Sequence, residues 1–219
     1  MSWSWDFTLK ILPQLLDAAK VTISATLVAF VISLAGGLLL TFGRRSKVKL
    51  LSMICYWFIE FVRSTPLLVQ LFFIFYVAPD IGLKLSPFTA GVLGLGLHYS
   101  TYMSEVYRAG IEAVPRGQWE AATALNFSKV QMWKSVILPQ AIRPIVPVLG
   151  NYGISMFKET PVLSVITVIE LLGRAQIIGS TWFRYLEPIT LVGVFFFIMS
   201  YVSSLLVRRL EMSLKLQQK

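Results

Sequence analysis

The sequence predicts an all-α integral membrane protein with about five transmembrane helices, and three observations carry that prediction. Hydrophobic residues make up 56% of the chain, mean hydropathy is +0.69 and charged residues are 14%, against roughly 25% charged in a soluble domain. Three stretches, 21–43, 85–104 and 188–207, hold no acidic or basic residue, and each is long enough to cross hydrocarbon about 30 Å thick, which takes about 20 residues. Two further apolar regions are interrupted by charge, 50–79 by Glu60 and Arg63 and 144–169 by Lys158 and Glu159, which brings the number of spans to five.

In chain order, the first twenty residues hold Trp3, Trp5 and Asp6 but no basic n-region, so they do not resemble a cleaved signal peptide and the tryptophans read as interface anchors. The Thr65-Pro66 step should break 50–79 into an interfacial helix and a second span, because proline disfavours the helical conformation of the residue before it. Glu60 and Arg63, with i,i+3 spacing, are expected to neutralise one another at the inner boundary, and Glu105 and Arg108 repeat that spacing. The third span carries His98, the chain's one histidine. It reads as a hydrogen-bonded span histidine or a solute contact. Lys158 and Glu159 are adjacent, so on a helix they point about 100° apart. They form either a structural pair near the outer end of the fourth span or, since intramembrane charge is costly, functional groups with partners elsewhere.

Orientation follows from the Lys/Arg bias of short loops. With the N-terminus outside, the inner segments carry Arg44, Arg45, Lys47, Lys49, Arg116, Lys129, Lys134, Arg143, Arg208, Arg209, Lys215 and Lys219, whereas the outer segments carry Lys10, Lys20, Lys84, Arg174 and Arg184. That asymmetry predicts an outside N-terminus and a cytoplasmic C-terminus. It also explains the net charge of +9 without nucleic acid, since the basic residues flank spans rather than forming one stripe.

Between the third and fourth spans, "EAATALNFSKVQMWKSVILP" reads as two short helices within a cytoplasmic segment 115–143. Pro115 suits a first helical turn and Asn126 tolerates the left-handed conformation that ends a helix. Ser128 and Gln131 have capping-box spacing, and Phe127 and Met132 that of the accompanying staple. Val130, Trp133 and Ile137 line one face until Pro139 and Pro144 interrupt the pattern. Such a hairpin either lies on lipid headgroups or docks a partner.

The segment resembles the "EAA" loop of permease subunits from binding-protein-dependent ABC importers: Glu120, Ala121, Ala122, Val136, Leu138 and Pro139 match in register, with Asn126 where the family has glycine. "RSTPLLVQLFFIFY", "YMSEVYRAGIEAVPRGQWEAA" and "KETPVLSVI" are similar to the polar amino acid uptake branch, of the histidine and glutamine permease type. "LHYSTYMSEVYRAGIE", "MFKETP" and "FRYLEPITLVG" resemble its ectoine and hydroxyectoine permeases.

The resemblance covers most of the chain and implies one transmembrane permease domain over 1–219, with the type I importer fold, in a bacterial inner membrane. It implies a second permease chain, identical or homologous, two ATP-binding cassette subunits carrying ATP and magnesium, and an extracytoplasmic solute-binding protein. The EAA hairpin would be the coupling element, with Glu120, Ala121, Ala122, Asn126, Leu138 and Pro139 meeting the ATPase. Gln70, His98, Tyr102, Asn151, Ser155, Lys158 and Glu159 are candidates for the translocation pathway of a small polar zwitterion. The chain itself should be no enzyme and hold no cofactor. It lacks a GxxxxGK[ST] loop and an HExxH motif, no Cys/His cluster has metal-ligand spacing, and Cys55 stands alone and reads as a buried apolar residue. A self-sufficient carrier is the alternative, and it would not need the hairpin.

Overall fold

The computed structural model describes residues 2–216, and Lys219, counted above among the inner basic residues, lies outside them. The described residues form nine α-helices: α1 (Trp5–Arg44), α2 (Lys49–Arg63), α3 (Leu67–Phe72), α4 (Pro87–Glu112), α5 (Arg116–Ala124), α6 (Lys129–Met132), α7 (Leu138–Glu159), α8 (Leu171–Trp182) and α9 (Leu186–Leu216). A π turn at Phe73–Val77 and a 3₁₀ turn at Ala78–Ile81 prolong α3, a π turn at Trp133–Ile137 joins α6 to α7, and a 3₁₀ segment at Thr160–Ile166 follows α7.

By length and apolarity α1 and α9 suffice as spans, and the bent pairs α2–α3 and α6–α8 bring the number to four. The fifth span expected from the sequence, 85–104, falls in α4 (Pro87–Glu112), which is not among these four. It packs against α1, α3 and α7, and its buried side includes Gly91, Leu95, His98, Tyr99, Ser100, Thr101, Met103 and Ser104. A helix surrounded by protein does not need apolar side chains for lipid, but it needs small ones to let neighbours approach. At Gly37 of α1 a Cβ would lie 2.5 Å from Met103 Cβ and 3.1 Å from both Ser100 O and Ser104 N. Thr41 Oγ1 closes the same contact, 3.2 Å from Ser104 Oγ.

The first helix starts well before position 21. Its 40 residues extend for roughly 60 Å, and the segment ahead of the apolar window is covered by α8, where Ile11, Leu15, Ala18 and Ala19 pack with Leu171, Ala175 and Ile178. The apolar window measures lipid contact, not helix length. Asp17 and Lys20 point outward as an exposed ion pair at 2.7 Å.

The break at Thr65-Pro66 forms as anticipated, with α2 and α3 meeting at 107°. Cys55, Ile59 and Val62 form the buried face of α2, while Leu50, Ile54, Trp57 and Phe61 are exposed. The remaining pass, 67–81, extends only about 22 Å at helical rise. Glu60 and Arg63 do not pair. Arg63 instead places its guanidinium 5.4 Å from the Tyr102 ring centroid, because α2 ends over α4 and an aromatic face is nearer than the preceding turn. Arg108 does pair with Glu105 at 2.7 Å and with Glu112 at 2.6 Å, and Arg44 of α1 joins Glu105.

Pro139 and Pro144 do not end the second hairpin helix. Helical structure runs from Lys129 to Glu159, with Pro139 in the first turn of α7 and Pro144 and Pro147 inside it. The π turn widens the ladder just ahead of Pro139, where a proline ring and a missing N–H would otherwise break it.

Hydropathy does not register α8, which is twelve residues long. It starts at Glu170, a fully buried N-cap that accepts from Leu172 N at 3.0 Å and Gly173 N at 2.7 Å. Phe183, in the left-handed region at φ 51°, ends it. Arg184 then pairs with Glu187 and donates to Ser2 O at 2.8 Å, while Glu187 accepts from Ser4 N at 3.0 Å. The "FRYLEP" segment therefore ties the N-terminus to the head of α9.

Candidate solute cavity and coupling hairpin

The bend between α2 and α3 opens beside the middle of α4 and the end of α7. Arg63, Ser64, Thr65, Pro66, Leu67, His98, Tyr102, Glu159 and Val162 line a cavity of about 440 Å³ there. Three of the predicted pathway residues, His98, Tyr102 and Glu159, thus share one space. Tyr102 lies 5.3 Å from His98 and 5.7 Å from Tyr152, centroid to centroid, so rings form one side of the cavity, while Arg63 and Glu159 supply a cation and a carboxylate. Arg63 and Thr65 are absent from the predicted pathway set. The signal in the sequence is a cation three residues ahead of a proline break in an apolar run.

The other pathway candidates lie elsewhere. Gln70 sits behind the cavity wall, its amide consumed by protein partners: Nε2 reaches Val62 O at 2.8 Å, and Oε1 lies 3.0 Å from His98 Nδ1. Asn151, Ser155 and Lys158 line a separate groove of about 530 Å³ between α7 and α9, with Phe196, Phe197, Ser200, Tyr201 and Ser204. Lys158 and Glu159 therefore face different sides of α7, as adjacent helical positions must, and the structural pair does not form. Ser200 Oγ is buried without a hydrogen-bond partner, and Lys158 has no ion pair among the described residues.

The hairpin has the local chemistry the sequence predicts. Ser128 and Gln131 form a reciprocal capping box, with Ser128 N donating to Gln131 Oε1 at 2.9 Å and Gln131 N to Ser128 Oγ at 3.3 Å. Asn126 has φ 54°. Around it Phe127 N donates to Ala122 O at 3.0 Å and Asn126 N to Thr123 O at 2.9 Å, the paired bonds of a Schellman turn. Ala122 is buried under that turn, whereas Glu120, Ala121, Leu138 and Pro139 are exposed. Trp119 and Trp133 meet edge to face at 5.3 Å, and with Val114, Ile137 and Ala141 they give the hairpin a small core of its own. Arg45, at the end of α1, lies 5.8 Å from the Trp133 ring, so the hairpin is anchored on the membrane helices.

Residues 33–216 match the family described as binding-protein-dependent transport system inner membrane component. The chain belongs to that family. The permease is 41% identical to "Probable amino-acid ABC transporter permease protein y4tG" of Sinorhizobium fredii, over 97% of this chain and 95% of that one. It is 36% identical to the L-cystine transport system permease protein TcyB of Bacillus subtilis, over 91% and 87%. Among solved structures, the crystal structure of an amino acid ABC transporter with histidines superposes with a TM-score of 0.92 and 36% identity, covering 97% of this chain and all of that one. The permease is thus the multi-pass inner-membrane component of an ABC importer, non-catalytic, and works with ATPase subunits and a solute-binding protein. The self-sufficient carrier falls away.

Proposed function

We propose that this permease passes a small polar zwitterion, ectoine or hydroxyectoine or a polar amino acid, through a pathway that includes the cavity at the α2–α3 bend. One observation carries the reading: Arg63 and Glu159, from different elements, line one cavity with the rings of His98 and Tyr102. Arg63, held over the Tyr102 ring, offers charge-assisted hydrogen bonds to a carboxylate, and Glu159 offers them to a cationic nitrogen. The names of the curated relatives support an amino-acid solute, and the "FRYLEP" and third-span resemblance supports ectoine.

The permease works as a pair, with itself or a homologous chain. The polar groove of Asn151, Ser155 and Lys158 supports this, because these three side chains are exposed, a lysine and polar groups facing lipid are costly, and a second permease chain would enclose them. Two ATPase subunits, holding ATP and magnesium, drive the transition through Glu120, Ala121, Ala122, Asn126, Leu138 and Pro139. A preorganised hairpin transmits rigid-body motion that a loose loop would absorb. The N-terminus lies outside and the C-terminus in the cytoplasm.

The test is uptake into proteoliposomes holding the permease, its cognate ATPase and its binding protein, with labelled ectoine, hydroxyectoine, glutamine and arginine in competition. Uptake of one zwitterion, lost in both Arg63→Gln and Glu159→Gln while complex assembly persists, is the expected result. Undiminished uptake in both variants would overturn the cavity assignment. Glutamine or arginine uptake without ectoine uptake would remove ectoine and leave the amino-acid reading.

A further inference from the structure

Gln70 lies outside the cavity yet decides what one of its walls presents. Pro66 has no N–H to give to Val62 O four residues earlier, so the bend leaves that carbonyl to side-chain donors, the Thr65 hydroxyl at 3.3 Å among them. Gln70 Nε2 makes the shorter bond to it, 2.8 Å from Val62 O, and also lies 3.1 Å from Thr65 O and 2.8 Å from Thr65 Oγ1. Two of those three atoms are backbone carbonyl oxygens, which only accept, so the end of the amide facing them must be its NH₂. That choice fixes the other end. Gln70 Oε1 lies 3.0 Å from His98 Nδ1, and an amide oxygen only accepts, so Nδ1 carries the proton. In the neutral ring Nε2 is then a lone-pair acceptor. Among the described residues no side chain or carbonyl bonds to it, and it is not an enclosed orphan either, while His98 lines the cavity.

We infer that Gln70 is a positioning residue that locks His98 as the Nδ1–H tautomer and so presents Nε2 to an N–H group of the solute. The ring thereby becomes a specificity element: it accepts from an ammonium or amidinium N–H and offers nothing to a fully alkylated nitrogen. The same amide holds the α2–α3 bend, so the shape of the cavity and the polarity of its wall depend on one side chain. The tautomer follows from the hydrogen bonds alone, and the specificity rests on the transport reading proposed above.

The chain's one histidine makes the tautomer measurable. The full chain, labelled with ¹⁵N-histidine, purified without a polyhistidine tag and placed in lipid nanodiscs, yields a single ring whose two nitrogen resonances distinguish the tautomers. Wild type should show Nδ1–H alone, and Gln70→Leu should show a mixture. An Nε2–H ring or an imidazolium in wild type overturns the inference with no variant needed, and so does an unchanged Nδ1–H ring in Gln70→Leu. In proteoliposomes, wild type should prefer a solute bearing an N–H to its N-trimethylated analogue, and Gln70→Leu should lower that preference about tenfold, the value of one hydrogen bond of about 1.4 kcal/mol, by raising KM for the N–H solute. Equal preference in both proteins overturns the specificity role. The locked tautomer seen together with no uptake of any zwitterion would uphold the lock and refute the transport reading.

Discussion

Replacing Asn126 with valine separates a conformational role from a contact role in the hairpin. The residue sits at φ 54° and its side chain is exposed, so the substitution changes backbone preference without disturbing packing. An ordinary L-residue loses about 1–2 kcal/mol in the left-handed region, and a β-branched one is the least suited to it, whereas asparagine tolerates it. Two backbone bonds depend on that conformation, Phe127 N to Ala122 O at 3.0 Å and Asn126 N to Thr123 O at 2.9 Å. A loss of 1–2 kcal/mol shifts the balance between formed and open turn by roughly 5–30-fold. Asn126→Gly restores the residue of the EAA pattern: it removes side-chain strain and adds chain entropy, opposing terms of about 1 kcal/mol each. The assay is solute transported per ATP hydrolysed in proteoliposomes, with assembly followed by co-purification of the ATPase. Glycine should match wild type and valine should fall well below it. Equal coupling in the valine and glycine variants would refute the reasoning, because it would mean that the turn does not depend on the backbone preference of position 126.

Two further outcomes are expected. Glu120→Lys reverses an exposed charge that has no partner within the described chain, so the purified permease should melt as wild type does while ATPase co-purification and transport fall; normal transport would remove Glu120 from the coupling surface. Gly37→Val forces atoms toward Met103 Cβ and the backbone of Ser100 and Ser104, at 2.5 and 3.1 Å from the first added carbon, which must part α1 from α4 at a cost of about 1–3 kcal/mol and lower Tm. Gly117→Ala, where a Cβ meets nothing within 4 Å, is the control and should not lower Tm, since alanine in α5 reduces chain entropy without a clash.

The sequence by itself determined what depends on near neighbours along the chain. Membrane residence, the break at Thr65-Pro66, the Asn126 turn and the Ser128 capping box all follow from solvation or from hydrogen bonds spanning a few residues, so reading along the chain finds them. The EAA register belongs here too, since matching it to the family takes one dimension.

Tertiary structure decided which polar groups meet, because that depends on how helices are turned against each other and on residues far apart in sequence. Arg63 turns away from Glu60 to Tyr102, since α2 ends over α4. Gln70 is held behind the cavity wall by the Val62 carbonyl that Pro66 leaves without a backbone donor, and Asn151 and Ser155 are parted from Glu159 because a helix cannot present every face to one cavity. The α8 helix was invisible to hydropathy for the same reason: its apolar face is spent on the first turns of α1 rather than on lipid. Pro139 and Pro144, which read along the chain as a stop, sit instead in a continuous helix: a π turn just ahead of Pro139 absorbs the mismatch there, while Pro144 is carried inside α7.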